Sequence, residues 1–341
     1  MANIEEKRIL IIGGTGSLGQ ALVQRLIDKN EIFLFSRDEA KHWTLRNQWG
    51  ANGRLNFIVG DVRDKSRIKG VLLHLKPEII ILAAALKQVD TGELSPTESI
   101  NTNILGTENL IETILDSQLI QENLDCVLFV STDKACAPTN VYGMCKAISE
   151  RLVSSASLRS EKVRFISVRY GNVLESRGSI IPLFRFQVEK KTFITLTSAG
   201  MTRFIMTLDE SIDLIQRAIL GADSGEIWIP QLKSMKILHL AEIFASRYNK
   251  KIEITGMRPG EKIHEELISE PESFRVKRGE LDFVLQQSFL LNSNNVESFS
   301  YSSKDNALSK EKLEERLDSL GMFSRDLSLF QGKQIEEIRT N

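Results

Sequence analysis

The sequence runs from a short apolar stretch, Arg8 to Ile12 (RILII), directly into Gly13-Gly14-Thr15-Gly16-Ser17-Leu18-Gly19. Residues Gln20 to Lys29 follow with helical spacing, Leu22, Leu26 and Ile27 falling on one side. A strand that ends in closely spaced glycines and opens a helix restricts the chain to few architectures. The glycines allow a tight turn and let backbone N–H groups approach a phosphate at a helix N-terminus. The segment therefore predicts a dinucleotide-binding unit, with Gly13, Thr15, Gly16, Ser17, Leu18 and Gly19 as cofactor contacts.

Further short apolar runs lie at Ile32 to Phe35, Leu55 to Val59, Glu78 to Ala85, Cys126 to Ser131 and Val163 to Val168. Continuous runs of this length suit strands buried on both faces of a parallel sheet. Between the fourth and fifth strands a long helix is predicted, with Ile100, Ile104, Ile111, Ile114 and Leu115 at helical spacing. Alternation of this kind predicts an α/β fold, a Rossmann-type doubly wound parallel sheet that binds ligands at the carboxyl ends of its strands. After Tyr170 the alternation loosens, which predicts a smaller C-terminal substrate lobe. The expected organisation is a cofactor domain at 1–170, a substrate lobe at 171–290 with chain crossings back to the first domain, and a C-terminal extension at 291–341. Leu291 to Asn306 is rich in Ser and Asn and reads as a surface loop. A last amphipathic helix carries Leu313, Leu317 and Leu320 and ends at Gly321.

Bulk composition narrows the function classes. With 44 Lys+Arg against 45 Asp+Glu and a formal net charge of -1, nothing favours nucleic acid or a membrane surface as partner. No apolar run approaches the roughly 20 residues of a membrane span. The charged segment Met1 to Lys7 leads straight into a strand, which predicts no signal peptide and a cytoplasmic location. Cys126, Cys136 and Cys145 lack paired spacing, and the four histidines do not cluster in sequence. Neither disulfide framework nor metal site is expected.

The second strand ends in Ser36-Arg37-Asp38, with Lys41 nearby. A carboxylate at this place would accept from the ribose hydroxyls of NAD, whereas a hydroxyl and a guanidinium suit a 2′-phosphate. Ser36, Arg37 and Lys41 therefore favour NADP, while Asp38 keeps NAD open. The third strand ends in Gly60-Asp61-Val62. Asp61 either accepts from the adenine amino group, with Val62 beside it, or caps the next helix. Ala83 and Ala84 end the fourth strand and leave room for a cofactor backbone.

Ser131-Thr132-Asp133-Lys134 ends the fifth strand, and Tyr142 and Lys146 follow as a YxxxK pair. Residues i and i+4 share a helix face. The Lys146 ammonium is expected to lower the Tyr142 phenol toward the working range and let it take a proton from a substrate hydroxyl. Thr132 would bond the same oxygen. Asp133 and Lys134 add an acid and base that a simple dehydrogenase does not need, and they would permit an elimination.

These segments together, GGTGSLG, SRDEAK, GDVRD, AAALKQV, STDKACAPTNVYGMCK, RYGNVLESRGSIIPLF, MTRF and RPGEKIHEELIS, resemble the UDP-N-acetylglucosamine 4,6-dehydratases of the polysaccharide-biosynthesis (CapD-like) group of extended short-chain dehydrogenases/reductases. The resemblance runs from about Lys7 to Ile268. It implies that Tyr142 takes the C4 hydroxyl proton while hydride passes to NADP, that Lys134 removes the C5 hydrogen, and that Asp133 helps the C6 hydroxyl leave. A UDP-4-keto-6-deoxy sugar would result, with C5 inverted or retained. Lys146, Lys87, Asn172 and Val173 would contact the cofactor; Lys87, Asn172, Thr195, Arg258 and Glu261 would contact the UDP-sugar. A symmetric homo-oligomer is expected. A nucleotide-sugar 4-epimerase or reductase would use Tyr142 and Lys146 and leave Asp133 and Lys134 idle. A non-catalytic NADP-binding regulator on the same scaffold would need none of them.

Overall fold

The computed structural model describes residues 3–323, apart from 51, 175, 177, 178 and 288–297. Six strands, β1 (Arg8–Ile12), β2 (Glu31–Ser36), β3 (Leu55–Val59), β4 (Ile79–Leu82), β5 (Cys126–Val130) and β6 (Arg164–Val168), pair in parallel in the order β3-β2-β1-β4-β5-β6. Ile9, Ile11, Ile80, Ile81 and Leu128 are fully buried, as strands covered on both faces require. The order reverses between β1 and β4, where a doubly wound sheet opens a crevice beyond its carboxyl ends. Ile227–Pro230 extends the sheet parallel to β6, and Asp282–Leu285 and Val276–Arg278 add antiparallel strands at that edge. The α/β, doubly wound reading of the sequence is what the chain forms.

The described residues divide into two compact units, those within 3–170, 209–230 and 269–299, and those within 171–208, 231–268 and 300–323. The first holds the large sheet and a core that includes Leu10, Phe35, Leu82, Leu110, Ile114 and Phe129. The second has its own core around Phe184, Ile194, Phe244, Leu313 and Leu317. Its three small sheets pair Lys233–Lys236 and Asn172–Val173 with Thr202–Met206, Lys251–Ile254 with Phe193–Leu196, and Glu266–Ile268 with Tyr301–Ser302.

Two sequence expectations are corrected. The long helix after β4 is interrupted: Pro96–Ser99 is α-helical, Ile100–Leu105 is a π-turn, and Gly106–Leu115 is α-helical again. The wider turn slips the register, so Ile100 and Leu105 face solvent while Thr102 and Asn103 take buried places. The Ser-rich stretch expected as a surface loop is also different. Residues 291–297 lie outside the described residues, but Tyr301–Ser302 is a strand and Ser303 is fully buried. Its hydroxyl bonds Thr202 Oγ1 at 2.7 Å, which satisfies the polarity that had suggested exposure. Residues 300–323 thus pack within the second unit instead of forming a separate extension. The last helix, Lys310–Ser319, buries Leu313 and Leu317, and Gly321 follows it with φ +66°.

One buried ion network ties the first unit together. Arg169, just past β6, is 1% exposed. It donates to Glu150 through Nε at 2.9 Å and Nη2 at 2.6 Å, and to Glu272 through Nη1 at 2.9 Å and Nη2 at 2.8 Å. Ser131 Oγ donates to Glu150 Oε1 at 2.5 Å. Burial pushes the Glu272 carboxyl up, but the Arg169 charge and hydrogen bonds outweigh it and hold it down at about 2. Because the folded value lies below the ordinary 4.5, this contribution is complete above that pH and is lost as pH falls toward 2. Replacing Arg169 by Met would strand two buried carboxylates and is expected to cost about 3–5 kcal/mol. Urea unfolding should show a lower midpoint at unchanged slope; an unmoved midpoint would mean the network does not hold the unit.

Candidate active site

The glycine turn fits a dinucleotide. Gly13 has φ +87°, and a Cβ there would lie 2.6 Å from the Ala84 nitrogen, so the turn after β1 and the segment after β4 meet backbone to backbone. Helix α1 (Ser17–Leu26) begins at Gly16 with no side-chain cap and no acidic residue in its first turn. A helix start of this kind favours an anion through its first N–H groups and its dipole. Gly13, Thr15, Gly16, Ser17, Leu18 and Gly19 all belong to this turn and helix start.

At the end of β2 the polar groups are already organised. Asp38 caps helix α2 (Glu39–Trp49), accepting from the Lys41 nitrogen at 3.0 Å, and its other oxygen pairs with Lys41 Nζ at 2.7 Å. Each oxygen of the carboxylate that could serve NAD thus already has one partner, and the Lys41 charge is partly spent on it. Arg37 is exposed, with Nη1 3.7 Å from Asp61. Ser36 Oγ receives Thr15 Oγ1 at 3.3 Å and lies 2.7 Å from His42 Nε2. His42 is buried and was not singled out in the sequence, since no pattern of histidines marks it.

Asp61 does not cap the next helix; Asp64 does, accepting from the Arg67 nitrogen at 2.9 Å. Asp61 is instead gripped by Arg63 through Nε at 3.0 Å and Nη2 at 2.6 Å. Burial raises the Asp61 carboxyl, but the Arg63 hydrogen bonds prevail and keep it below the usual range. Val62 is a core residue. The loop carrying Ala83, Ala84 and exposed Lys87 is held by Asn103, which bonds Leu86 N at 2.8 Å and Leu86 O at 3.0 Å. Asn103 sits in the π-turn, a position that apolar spacing cannot flag.

Thr132, Asp133, Lys134 and Tyr142 come together at the carboxyl end of β5. Tyr142 is the second residue of the helix Val141–Ala156, which Asn140 caps by accepting from the Gly143 nitrogen at 2.9 Å. A Cβ on Gly143 would lie 2.2 Å from the Lys134 carbonyl oxygen, so only glycine lets this helix abut the Asp133–Lys134 segment. Asp133 is fully buried; its Oδ1 accepts from Thr132 Oγ1 and Lys134 Nζ, each at 3.0 Å. Its Oδ2 is buried with no partner among the described residues.

Lys146 departs from the expectation drawn from YxxxK. Its Nζ donates to the Val130 carbonyl at 2.7 Å and lies over the Phe129 ring, 4.2 Å from the centroid. Burial lowers it to about 7, against the pull of Glu150. Burial pushes the Tyr142 phenol up to about 12, and the cation that opposes this rise is Lys134; Asp133 adds to it, and Thr132 lies within hydrogen-bond reach. The shared helix face brings Lys146 close in sequence, but its ammonium is turned to β5.

The other substrate candidates lie in the second unit. Asn172 begins the strand Asn172–Val173, and its Oδ1 is buried with no partner among the described residues. Thr195 is tied to Gln187, whose Nε2 donates to its Oγ1 at 2.6 Å. Arg258 and Glu261 close one turn, the Arg258 nitrogen donating to Glu261 Oε2 at 3.2 Å. Among the described residues no group of His, Cys, Asp and Glu could hold a metal ion.

The family model described as polysaccharide biosynthesis protein matches residues 9–286. A Methanocaldococcus jannaschii protein named an uncharacterized membrane protein is 38% identical over 330 residues, covering 93% of this chain and 96% of that one. A UDP-glucose 4-epimerase of Rickettsia rickettsii is 39% identical over 277 residues, covering 78% of this chain and 79% of that one. The X-ray structure of Pen from Bacillus thuringiensis superposes with a TM-score of 0.86 at 32% identity, over 93% of this chain and 98% of that one. Among the described residues no helix is long and apolar enough to cross a membrane.

The electrostatics of the site can be checked directly. Lys134→Met should raise the Tyr142 titration, because the opposing charge is gone, while Lys146→Met should leave it nearly in place. NMR of Tyr Cζ carbons through the alkaline range reads both; a larger shift in the Lys146 variant would restore the YxxxK expectation.

Proposed function

The chain belongs to the polysaccharide biosynthesis protein family, and from that premise we propose that it is a nucleotide-sugar-modifying short-chain dehydrogenase/reductase that carries out 4,6-dehydration of UDP-N-acetylglucosamine. The observation that carries this reading is the Asp133–Lys134 pair beside Tyr142. Oxidation at C4 acidifies the C5 hydrogen, and elimination then needs one base for that hydrogen and one acid for the departing C6 hydroxyl. With 3.0 Å between Nζ and Oδ1, moving one proton from Lys134 to Asp133 creates a neutral amine and a carboxylic acid together. Both groups thereby reach their working forms without net charge change in a buried site.

NADP, held by the Gly13–Gly19 turn and by Ser36 and Arg37, would supply a hydride acceptor, a hydride donor and a cationic ring. Tyr142 takes the C4 hydroxyl proton, with Thr132 bonding the same oxygen. Lys134 takes the C5 hydrogen, and Asp133 protonates the C6 hydroxyl as it leaves as water; the hydride taken from C4 would return to C6, with a proton delivered to C5 by Lys134 or by water. Asn172, Arg258 and Glu261 serve the UDP-sugar; the unpartnered Asn172 Oδ1 supports a donor from a ligand, and a guanidinium matches a diphosphate.

The Rickettsia relative named a UDP-glucose 4-epimerase favours a second reading. Epimerisation at C4 would use Tyr142 and leave Asp133 and Lys134 without work.

Mass spectrometry of the protein with UDP-N-acetylglucosamine, without added reductant, separates the two. Loss of one water with a 4-keto NMR signal is the expected result, and the C5 coupling pattern gives inversion or retention; an isomer of unchanged mass would establish the epimerase instead. Lys134→Ala should abolish water loss while NADP binding persists, and an unchanged rate would remove Lys134 from the chemistry. Arg37→Ala should weaken NADP by roughly ten- to a hundredfold and NAD far less in equilibrium titrations; equal losses would mean that Arg37 does not read the 2′-phosphate.

A further inference from the structure

The buried imidazole behind Ser36 has no role in the reading above. His42 lies on helix α2 and is 3% exposed, packed against Phe57 at a ring-centroid distance of 5.6 Å. Nε2 lies 2.7 Å from Ser36 Oγ, whereas Nδ1 is buried with no hydrogen-bond partner among the described residues. The charged groups that bear on the ring are Arg46, which disfavours a second proton, and Asp38 and Glu39, which favour it; burial with Arg46 prevails, and the imidazole is held neutral below its ordinary range.

A neutral imidazole has one N–H to place. On Nδ1 it would be a buried donor without an acceptor; on Nε2 it meets Ser36 Oγ, and only a lone pair is left unpartnered at Nδ1. An orphaned donor is the rarer arrangement in folded proteins. Nε2–H therefore donates to Ser36. Thr15 Oγ1 donates to the same oxygen at 3.3 Å. With both lone pairs of Oγ engaged, the remaining capacity of the half-buried Ser36 hydroxyl is its own O–H, a donor.

We infer that His42 is a positioning residue for cofactor choice: it fixes the Ser36 hydroxyl as a donor, which matches the charged, acceptor-only oxygens of a ribose 2′-phosphate and can meet a free 2′-hydroxyl only through its weaker, neutral lone pair. The nearby carboxylate, Asp38, is turned to the α2 N-terminus and to Lys41, with one partner at each oxygen. The inference rests on the NADP preference proposed above.

The test is a double-mutant cycle on dissociation constants for NADP+ and NAD+ with the full chain. His42→Phe keeps an aromatic ring against Phe57 and removes the donor; His42→Gln keeps a donor near Nε2. The NADP-to-NAD preference should fall by about tenfold in His42→Phe, the worth of one oriented hydrogen bond to an anion, and should largely survive in His42→Gln. In a Ser36→Ala background His42→Phe should change the preference no further. Nitrogen-15 NMR of the unmodified protein should show the Nε2–H tautomer. A Nδ1–H tautomer, or equal loss for both cofactors in His42→Phe, would overturn the role of His42 while leaving NADP preference intact. An unmodified protein that prefers NAD would overturn the NADP reading itself, whatever the variants do.

Discussion

The buried Arg169 guanidinium is the joint on which the first unit's chemistry hangs. Glu150 belongs to the helix that carries Tyr142 and Lys146, Glu272 to the later segment that returns to this unit, and Arg169 to the end of β6. Ser131, bonded to Glu150, is the residue before Thr132, and the carbonyl of Tyr170, the residue after Arg169, accepts from the Asp133 nitrogen at 2.9 Å. One cation shared by two carboxylates therefore fixes strand end, helix and return segment against one another. Buried charge of this kind contributes little net stability compared with an apolar packing, but it fixes one geometry, because any departure strands a charge.

That rigidity bears on the pair at Asp133 and Lys134. Asp133 and Lys134 stand 3.0 Å apart, the carboxylate fully buried and the lysine side chain 21% exposed, with Asp133 Oδ2 buried and unpartnered among the described residues. Gly143 permits the close approach of the Tyr142 helix to this segment, since a side chain there would push the helix off the Lys134 carbonyl. Tyr142 feels Lys134 and Asp133 together, so the three side chains are coupled electrostatically.

Much of this was legible in the sequence, and what was not has physical reasons. The apolar runs that became β1, β2, β5 and β6 are buried along nearly their whole length, so hydrophobicity alone marks them; β3, at the sheet edge, buries Leu55 and leaves Val59 exposed. The fourth apolar run, Glu78 to Ala85, exceeds the strand by one residue before it and three after it, because Ala83 to Ala85 are apolar but follow the strand's end, where Ala83 and Ala84 meet Gly13. The π-turn was invisible, since Ile100 keeps the spacing of a regular helix while its backbone does not. Lys146 was assigned its effect on Tyr142 from helical periodicity, which gives the face of a residue but not the direction of a long flexible side chain. His42 escaped because its significance lies in a single oxygen contributed by a strand six residues earlier. Buried Ser302 and Ser303 show the same limit in the second unit: composition counts polar groups and cannot count their partners.

The π-turn at Ile100–Leu105 also says something about how a chain of this kind can change length. Such a turn holds one residue more than the α-turn it replaces. Excising one residue there would restore regular geometry and rotate the preceding helical segment by about 100° about its axis. Asn103 would then no longer face Leu86, and the loop bearing Lys87 would lose its clamp. Surface loops absorb insertions and deletions freely; this helix does not. A single-codon deletion here would be read out at the crevice, through the loss of the Asn103 contacts to Leu86.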